Sequence, residues 1–312
     1  MGAPWTAEQI PDQSGRVAVV TGANSGLGFV TARELARHGA HVVLACRDVG
    51  KGATAAEAIR AAAPGARVEV AALDLADLAS VRACAARLAA THDGIDLLIN
   101  NAGLMAPPRR TSADGFELQL ATNHLGHFAL TGLLLDALRA RAGARVVTLS
   151  SVMHRVGRID FDDLHGERRY HRWRAYGQSK LANLLFAFEL DRRLRAAGAG
   201  VRSVAAHPGY AATNLQSAAA PLLDRLAMRL VTPLVAQSAE MGALPTLHAA
   251  TAPEVPGGAF FGPDGFAERR GHPRPVAASA AAYDRAVAAR LWEVSEELTG
   301  VRYALPAAAP AT

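Results

Sequence analysis

Residues 16–37 read Arg16-Val-Ala-Val-Val-Thr21-Gly-Ala-Asn-Ser-Gly-Leu-Gly28-Phe-Val-Thr-Ala-Arg-Glu-Leu-Ala-Arg37, and this stretch decides the fold. A short β-branched apolar run is followed by a turn with three glycines and then by apolar residues at helical spacing. The pattern predicts a strand, a tight turn and a helix in immediate succession. Glycines let the backbone approach a ligand closely, and unpaired amides at a helix start attract negative charge, so this turn suits a nucleotide pyrophosphate.

The three glycines, Gly22, Gly26 and Gly28, do not have the G-x-G-x-x-G spacing of many dinucleotide-binding proteins. A turn that only connects a strand to a helix therefore remains an alternative for this stretch taken alone. The nucleotide interpretation predicts cofactor contacts from the whole turn, namely Gly22, Asn24, Ser25, Gly26, Leu27 and Gly28.

Apolar strand-like runs alternate with helical patterns along the rest of the chain. The predicted strands cover residues 41–46, 67–72, 95–99, 145–149 and 201–206, and the predicted helices cover residues 78–90, 115–141 and 176–197. This alternation predicts an α/β fold, a Rossmann-type doubly wound parallel sheet of about seven strands with helices on both faces. Polar residues follow most of the strands, and such a sheet binds ligands at the carboxyl ends of its strands, so we expect one elongated cleft there.

Composition favours one enzyme domain. The chain has 312 residues, of which 50% are hydrophobic, and no linker-like segment divides it, so we expect a single domain with a core at about 15–300 and a frayed tail at 304–312. The net charge of +5 comes from scattered arginines, which disfavours a nucleic-acid partner. No run reaches the ~18 apolar residues of a membrane span, and Cys46 and Cys84 form no metal or disulfide motif. We therefore expect a cytoplasmic protein without a membrane anchor or a bound metal.

The end of the second predicted strand bears on the choice of dinucleotide. An acidic residue at this point selects NAD, whereas an arginine accommodates the 2′-phosphate of NADP. Here Arg47 follows Cys46 directly, and a guanidinium can bind phosphate in a bidentate manner. NADP(H) is therefore favoured. NAD(H) stays open because Asp48 comes next, and the alternative for Arg47 is an exposed loop charge paired with that carboxylate.

Six ordered motifs give the chain its resemblance to a known family. They are residues 21–28, Asn100-Asn-Ala-Gly103, Asn123-His-Leu-Gly-His-Phe128, Ser150-Ser-Val-Met-His154, Tyr176-Gly-Gln-Ser-Lys180 and His207-Pro-Gly209. With these motifs the chain resembles the short-chain dehydrogenases/reductases, and within them the retinol-dehydrogenase-like branch, from about residue 15 to residue 300. The resemblance implies an oxidoreductase that interconverts a carbonyl and an alcohol with a nicotinamide dinucleotide.

The resemblance also implies a catalytic tetrad of Asn123, Ser151, Tyr176 and Lys180. Tyr176 and Lys180 are four residues apart and share a helix face, so the lysine is expected to lower the tyrosine pKa from ~10 and make it a usable acid or base. Ser151, rather than Ser150, would stabilise charge on the substrate oxygen, Lys180 would also contact the nicotinamide ribose, and Asn123 would hold a water. The histidines at 124, 127 and 154 are expected to be structural.

The same resemblance extends the cofactor site beyond the glycine turn. It assigns adenine contacts to Asp74 and Leu75, and it lines the central nucleotide region with Asn101, Ala102 and Gly103. It places Pro208, Gly209 and Thr213 at the nicotinamide end, although Thr213 could equally cap the next helix.

Substrate information is sparse. An amphipathic stretch within residues 213–233 stands where these enzymes keep a mobile lid, which suggests a hydrophobic carbonyl or alcohol substrate; an ordinary core-covering helix is the alternative. The segment between Ser151 and Tyr176 is long and resembles that of the retinol-dehydrogenase-like branch. A homo-oligomer, dimer or tetramer, is compatible with the sequence. Two other functions stay open, a non-catalytic dinucleotide sensor and an epimerase or dehydratase of the extended relatives.

Overall fold

In the computed structural model, which describes residues 4–210 and 237–305, eight strands form one sheet in the order β3-β2-β1-β4-β5-β6-β7-β8. The strands are Val17–Thr21 (β1), His41–Cys46 (β2), Val68–Ala72 (β3), Leu97–Asn100 (β4), Arg145–Leu149 (β5), Arg202–Ala206 (β6), Phe260–Pro263 (β7) and Pro273–Pro275 (β8). The first seven pair in parallel, and β8 runs antiparallel to β7 at the edge. The doubly wound α/β prediction is confirmed, and proline-rich β8 is the addition to the expected seven strands.

Helices connect the strands. They are Gly26–Arg37 (α1), Val49–Ala62 (α2), Leu78–Thr91 (α3), Leu118–Leu120 (α4), Gly126–Leu133 (α5), Leu135–Arg139 (α6), Arg172–Ala196 (α7), Ala239–Thr251 (α8) and Arg285–Thr299 (α9). A π-helical turn, Ala121–Leu125, joins α4 to α5. Short 3₁₀ turns occupy Ala7–Gln9, Val152–Val156, Phe266–Glu268 and Ala280–Tyr283.

The central strands are buried on both faces because helices cover both sides of the sheet. In β1, Ala18 and Val20 pack with residues of α1, α2 and α8, whereas Val17 and Val19 point to the opposite side and pack with residues of α3, α5 and α7. Successive side chains of a strand point to opposite faces, so an apolar residue at every position is what such a sheet requires. The strand order reverses between β1 and β4, and ligands of this architecture bind at that point.

The single helix predicted over residues 115–141 is wrong in detail. Gly115 has a φ of +84°, outside the helical region, and the helix begins only at Leu118, where the Glu117 side chain accepts a hydrogen bond from the Leu120 N–H over 2.8 Å. The π-helical turn then adds an extra residue to one turn, and the backbone leaves helical geometry again at Leu134. Periodicity of apolar residues hides such local changes, and π turns are frequent at functional sites.

Helix α7 begins four residues earlier than the sequence predicts. His171 is its N-cap, with Nδ1 accepting a hydrogen bond from the Arg174 N–H, and the helix includes Trp173 one turn before Tyr176. The charged sequence Arg172-Trp-Arg174 has no apolar repeat, so the cap rather than periodicity marks this start.

The predicted lid, the predicted tail and the predicted domain organisation have no structural test. The lid predicted at 213–233, together with Thr213, lies outside the described residues, as does most of the tail at 304–312. The single-domain assignment also stays a prediction. Within residues 4–210 and 237–305, none of the helices combines the length and the apolar character needed to span a bilayer.

Candidate active site

The turn after β1 requires glycine because it packs against the chain that follows β4. Gly22 has a φ of +65°, and a Cβ there would lie 2.9 Å from the Ala102 Cβ; a Cβ on Gly28 would lie 2.5 Å from the Asn101 Nδ2. The Thr21 hydroxyl oxygen accepts hydrogen bonds from the N–H groups of Asn101 and Ala102, both over 2.9 Å. The Asn101 amide donates in turn to the Thr21 carbonyl over 2.7 Å, so the two loops form one unit.

The start of α1 suits an anionic group. Ser25 is the N-cap of this helix, and its side chain accepts no hydrogen bond from the first-turn N–H groups. The first N–H groups of a helix have no partner within the helix, so those after Ser25 can bind phosphate oxygens. The residues present therefore fit a nucleotide pyrophosphate.

One cleft at the carboxyl ends of β1 to β4 collects most of the predicted cofactor residues. Those lining it are Gly22, Asn24, Ser25, Gly26, Leu27, Gly28, Arg47, Asp74, Leu75, Asn101, Ala102 and Gly103. Sequence reasoning missed further lining residues, namely Ala45, Cys46, Asp48, Lys51, Leu73, Leu104, Met105, Pro107 and Thr122. The predicted residues at the ends of β5 and β6 do not line this cleft; they continue the same edge of the sheet beside it.

Arg47 is exposed at the rim of the cleft. The alternative pairing with Asp48 is not observed, because that carboxylate caps α2 by accepting from the Lys51 N–H over 3.0 Å and lies 3.4 Å from the Lys51 Nζ. Across the described part of the chain, neither an ion pair nor a hydrogen bond engages the Arg47 guanidinium. Lys51 is a second cation at the same rim. It lies in the first turn of α2, four residues after Arg47, and this spacing could have predicted its position at the cleft.

Ser151 and Tyr176 meet beside this cleft. The Tyr176 hydroxyl is buried, which raises its pKa, and its interaction with the Ser151 side chain acts in the opposite direction and lowers it. Ser150 points elsewhere, since its hydroxyl donates to the Lys180 carbonyl over 2.8 Å and is buried. The second serine is therefore the one that interacts with the tyrosine, and its catalytic role stays a prediction.

The electrostatics of Tyr176 and Lys180 differ from the expectation. Burial raises the pKa of Tyr176 to about 12 and lowers the pKa of Lys180 to about 8. The lysine Nζ lies 5.8 Å from the centroid of the tyrosine ring and donates to the Leu149 carbonyl over 3.3 Å. The predicted lowering of the tyrosine pKa is wrong in this structure because desolvation outweighs a cation directed at another acceptor.

Asn123 lies in the π-helical turn and fastens a neighbouring loop. Its side-chain oxygen accepts from the Leu104 N–H over 2.7 Å, and its amide donates to the Leu104 carbonyl over 3.0 Å and to the Ser179 hydroxyl over 2.9 Å. These bonds hold the segment after Gly103 beside Lys180. Its expected role in holding a water stays a prediction.

The three histidines near the tetrad have structural partners. His124 bonds the Ser295 hydroxyl over 2.9 Å, and His127 contacts the Thr21 hydroxyl over 2.9 Å. Burial lowers the pKa of His124 to about 3 and that of His127 to about 4, so both are neutral at physiological pH. Both nitrogens of His154 are used, by the Ser151 carbonyl and the Ser279 N–H. Within the described residues no group of three or more potential ligands could hold a metal ion.

The loop after β6, which contains Pro208 and Gly209, lies at the same edge of the sheet. Gly209 has a φ of +64°, and a Cβ there would lie 2.4 Å from the Arg269 carbonyl oxygen, so the 3₁₀ turn at Phe266–Glu268 and its flank press directly on this loop. The Pro208 carbonyl accepts from the Gln237 amide over 2.7 Å. Pro208 and Gly209 thus lie next to the end of β5, where Ser151 is found. Their contacts with nicotinamide stay predictions.

Comparisons with known proteins show the family to which the chain belongs. The short chain dehydrogenase family profile matches residues 16–222. Retinol dehydrogenase 12 of Mus musculus is 45% identical over 304 residues, covering 97% of this chain and 91% of the relative. The chain therefore belongs to the short-chain dehydrogenase/reductase family and is an oxidoreductase enzyme acting on CH–OH groups, similar to retinol dehydrogenases.

Solved structures that are similar to this chain include the following two. A crystal structure of an uncharacterized protein from Mycobacterium paratuberculosis has 48% identity and a TM-score of 0.81, covering 97% of this chain and all of that one. A protein from Beutenbergia cavernae, provisionally named an NAD(P)-dependent gluconate 5-dehydrogenase and solved with NADP at low occupancy, has 29% identity and a TM-score of 0.60, covering 76% and 90% of the two chains.

Proposed function

We propose that this protein interconverts a carbonyl and an alcohol on a hydrophobic small molecule, with NADP(H) as the preferred cofactor. The observation that carries the proposal is the proximity of the Ser151 side chain to the buried Tyr176 hydroxyl, with the buried Lys180 ammonium on the Leu149 carbonyl at the end of the same strand, β5. A hydroxyl pair in this arrangement can bind one substrate oxygen from two directions and transfer a proton to it. When bound, the nicotinamide would supply or accept the hydride.

The protein side of the reaction is proton transfer and charge stabilisation. Because burial raises the pKa of Tyr176 to about 12, its hydroxyl is protonated at neutral pH and can act as the acid when a carbonyl is reduced. The Ser151 hydroxyl would donate to the same substrate oxygen as negative charge develops on it. Lys180 would bind the ribose of the cofactor and, when protonated, favour loss of the tyrosine proton in alcohol oxidation.

The preference for NADP(H) rests on the two cations at the rim of the cleft. Arg47 is exposed and uncommitted among the described residues, and Lys51 lies one turn into α2. Both can attract a 2′-phosphate, whereas Asp48, the nearest carboxylate, is engaged as the helix cap. The similar B. cavernae structure contains NADP, which supports the same choice.

A hydrophobic substrate is supported by the walls beside the tetrad. Leu104 and Met105 line the cleft, are only partly buried, and follow Gly103 directly. The similar retinol dehydrogenase is named for an apolar alcohol. Apolar walls with a few polar groups at the reacting atom are the usual composition of such sites. A homo-oligomer and a cytoplasmic location remain part of this proposal.

The test is a turnover assay with purified protein. NADPH consumption is followed with a panel of apolar and polar aldehydes and ketones, retinal included, and is repeated with NADH. We expect turnover with apolar carbonyls and a higher kcat/KM with NADPH. Tight NADPH binding without turnover of any carbonyl or alcohol would instead favour a dinucleotide sensor and overturn the proposal.

A further inference from the structure

The chain from Asn101 to Leu104, here called the cofactor segment, lines the nucleotide cleft and is held at both of its ends. At one end, the N–H groups of Asn101 and Ala102 donate to the Thr21 hydroxyl, each over 2.9 Å. At the other end, the Leu104 N–H donates to the Asn123 side-chain oxygen over 2.7 Å, and the Leu104 carbonyl accepts from the Asn123 amide over 3.0 Å. The two anchors, Thr21 and Asn123, are both fully buried.

One buried imidazole joins these two anchors. The His127 Nε2 lies 2.9 Å from the Thr21 hydroxyl, and the His127 Nδ1 lies 3.0 Å from the Asn123 carbonyl oxygen. His127 stands one turn after Asn123, where the π-helical turn continues into α5, and it is 1% exposed. These contacts close a ring that runs from Thr21 through the cofactor segment to Asn123 and returns through His127.

The donors and acceptors of this ring fix one tautomer of the imidazole. A carbonyl oxygen can only accept, so the His127 Nδ1 that faces Asn123 carries the hydrogen, and Nε2 is an acceptor. The Thr21 hydroxyl accepts two N–H groups and donates its own hydrogen to Nε2, since the other acceptor, the Ile99 carbonyl, is farther away at 3.3 Å. Burial, with a smaller contribution from the charge of Lys180, lowers the pKa of His127 to about 4 and keeps the imidazole neutral.

The ring also holds the cofactor segment against the lysine of the tetrad. A Cβ on Gly103, the third residue of the segment, would lie 3.2 Å from the Asn123 side-chain oxygen and 3.4 Å from the Lys180 Nζ. A shift of the segment would therefore change both the lining of the cleft and the surroundings of Lys180. Hydrogen bonds in a buried network strengthen one another, and a site that is fixed in advance loses less entropy when its ligand binds.

We propose that His127 is a positioning residue that couples the glycine turn after β1 to Asn123 and holds the cofactor segment in place for the dinucleotide. It acts through Thr21 and Asn123 and takes no part in proton transfer. His124, on the same turn, shows the contrast: it is equally buried, but its bond goes to the Ser295 hydroxyl on α9, outside the ring. The proposal goes beyond the carbonyl–alcohol function because it concerns cofactor affinity, which is measured without turnover.

The experiment is a double-mutant cycle on the affinities for NADPH and NADH, measured by fluorescence titration without a substrate. Thr21→Val removes the hydroxyl and keeps the shape of the side chain, and His127→Leu removes both ring nitrogens. We expect each change to weaken both cofactors roughly tenfold. The double variant should bind no more weakly than Thr21→Val alone, because either change opens the same ring.

Two controls separate positioning from packing. His127→Gln reaches the Thr21 hydroxyl with a neutral acceptor, whereas His127→Asn carries the same amide on a side chain one methylene shorter. We expect His127→Gln to keep most of the cofactor affinity and His127→Asn to lose about as much as His127→Leu. This comparison tests the proposal even if His127→Leu does not fold. His124→Leu should lower the melting temperature and leave both affinities unchanged.

Additive losses in the double variant would overturn the proposal. Unchanged affinity in a folded His127→Leu protein, equal losses in His127→Gln and His127→Asn, or an equally large loss in His124→Leu would overturn it as well. Failure of the unmodified protein to reduce any carbonyl would count against the proposed function alone, since no turnover enters these titrations.

Discussion

Glu268 accepts a hydrogen bond over 3.0 Å from the fully buried imidazole of His207, the first residue of the loop that contains Pro208 and Gly209. The other ring nitrogen of His207 accepts from the Gly209 N–H over 3.2 Å, which fixes Nε2 as the protonated nitrogen. The second Glu268 oxygen accepts from Arg155 over 2.8 Å. One carboxylate therefore joins the loop after β6 to the 3₁₀ turn that follows Ser151.

The backbone at this carboxylate is held in an unusual conformation. Ala267 has a φ of +51° and Glu268 a φ of +56°, a region that costs a non-glycine residue on the order of 1–3 kcal/mol. The hydrogen bond from His207 and the Arg155 guanidinium both lower the pKa of Glu268, because each favours its charged form. The contacts of the carboxylate thus compensate for the strain of the turn.

Glu268→Ala should loosen the nicotinamide end of the site. It leaves the buried His207 N–H without a partner, at a cost of about 1–3 kcal/mol of unfolding free energy, and frees the loop at Gly209. We expect a lower melting temperature and a several-fold weaker NADPH affinity, measured by fluorescence titration. Glu268→Gln keeps a neutral acceptor for His207 and should retain most of the affinity. Unchanged affinity in a folded Glu268→Ala protein would contradict the role of this contact.

Arg47 and Lys51 should act together on cofactor choice. Arg47→Ala is expected to weaken NADPH binding about tenfold or more and to leave NADH binding nearly unchanged, because only NADPH carries the 2′-phosphate. Lys51→Ala should have the same direction and a smaller effect, since its ammonium is a point charge that also contacts Asp48. Titration of both cofactors against each variant measures this. Equal weakening for NADPH and NADH would show that neither cation selects the phosphate.

The sequence predicted those parts of the site that follow from strand ends and from motif register. Gly28 and Asn101 could be assigned in this way because each stands in a motif that follows a strand, and the carboxyl ends of parallel strands share one edge of the sheet. Lys51 was missed because it lies on a helix that no motif marks. The Gln119 contacts with Ala106 and Arg172 join segments more than fifty residues apart, and only the packed structure shows them.

The direction of the Tyr176 pKa shift was the feature of the site least predictable from the sequence. Spacing alone places Lys180 one turn from Tyr176 and indicates a lowered tyrosine pKa. The observed direction depends on how completely the hydroxyl is buried and on which acceptor the ammonium chooses, here the Leu149 carbonyl. Neither quantity is encoded in a four-residue spacing.

The buried charge of Lys180 should lower the stability of the folded protein, although turnover requires the lysine. Burial lowers its pKa from the ordinary value of 10.5 to about 8, so below pH 8 the folded protein holds a desolvated charge that the unfolded chain keeps in water. Lys180→Met is therefore expected to raise the free energy of unfolding at pH 7, by up to about 3 kcal/mol, while turnover is lost. Urea unfolding at pH 7 and the NADPH assay measure the two effects.

The lowered pKa of Lys180 also predicts how the free energy of unfolding changes with pH. Between pH 8 and pH 10.5 the unfolded chain binds a proton that the folded protein does not, so the stability of the unmodified protein should rise with pH through that window. Lys180→Met should lack this rise. Lys51→Met, which removes an exposed ammonium, is the matched control and should retain it. A Lys180→Met protein no more stable than the unmodified one at pH 7 would show that the buried charge carries no penalty.

Tyr176→Phe removes one oxygen and keeps the ring that packs against Trp173. Because the Tyr176 hydroxyl is the group that Ser151 contacts, its loss should reduce carbonyl reduction at neutral pH by roughly 10²-fold or more, the usual scale of a positioned acid. NADPH affinity and melting temperature should change little. Tyr170→Phe is the matched control: its hydroxyl contacts Glu117 and Gln119, so this variant should lose stability and keep most of its turnover at low temperature. If Tyr176→Phe kept near-normal reduction, the proton would have to come from elsewhere, although His124 and His127 are both neutral and buried, and both nitrogens of His154 are already bonded.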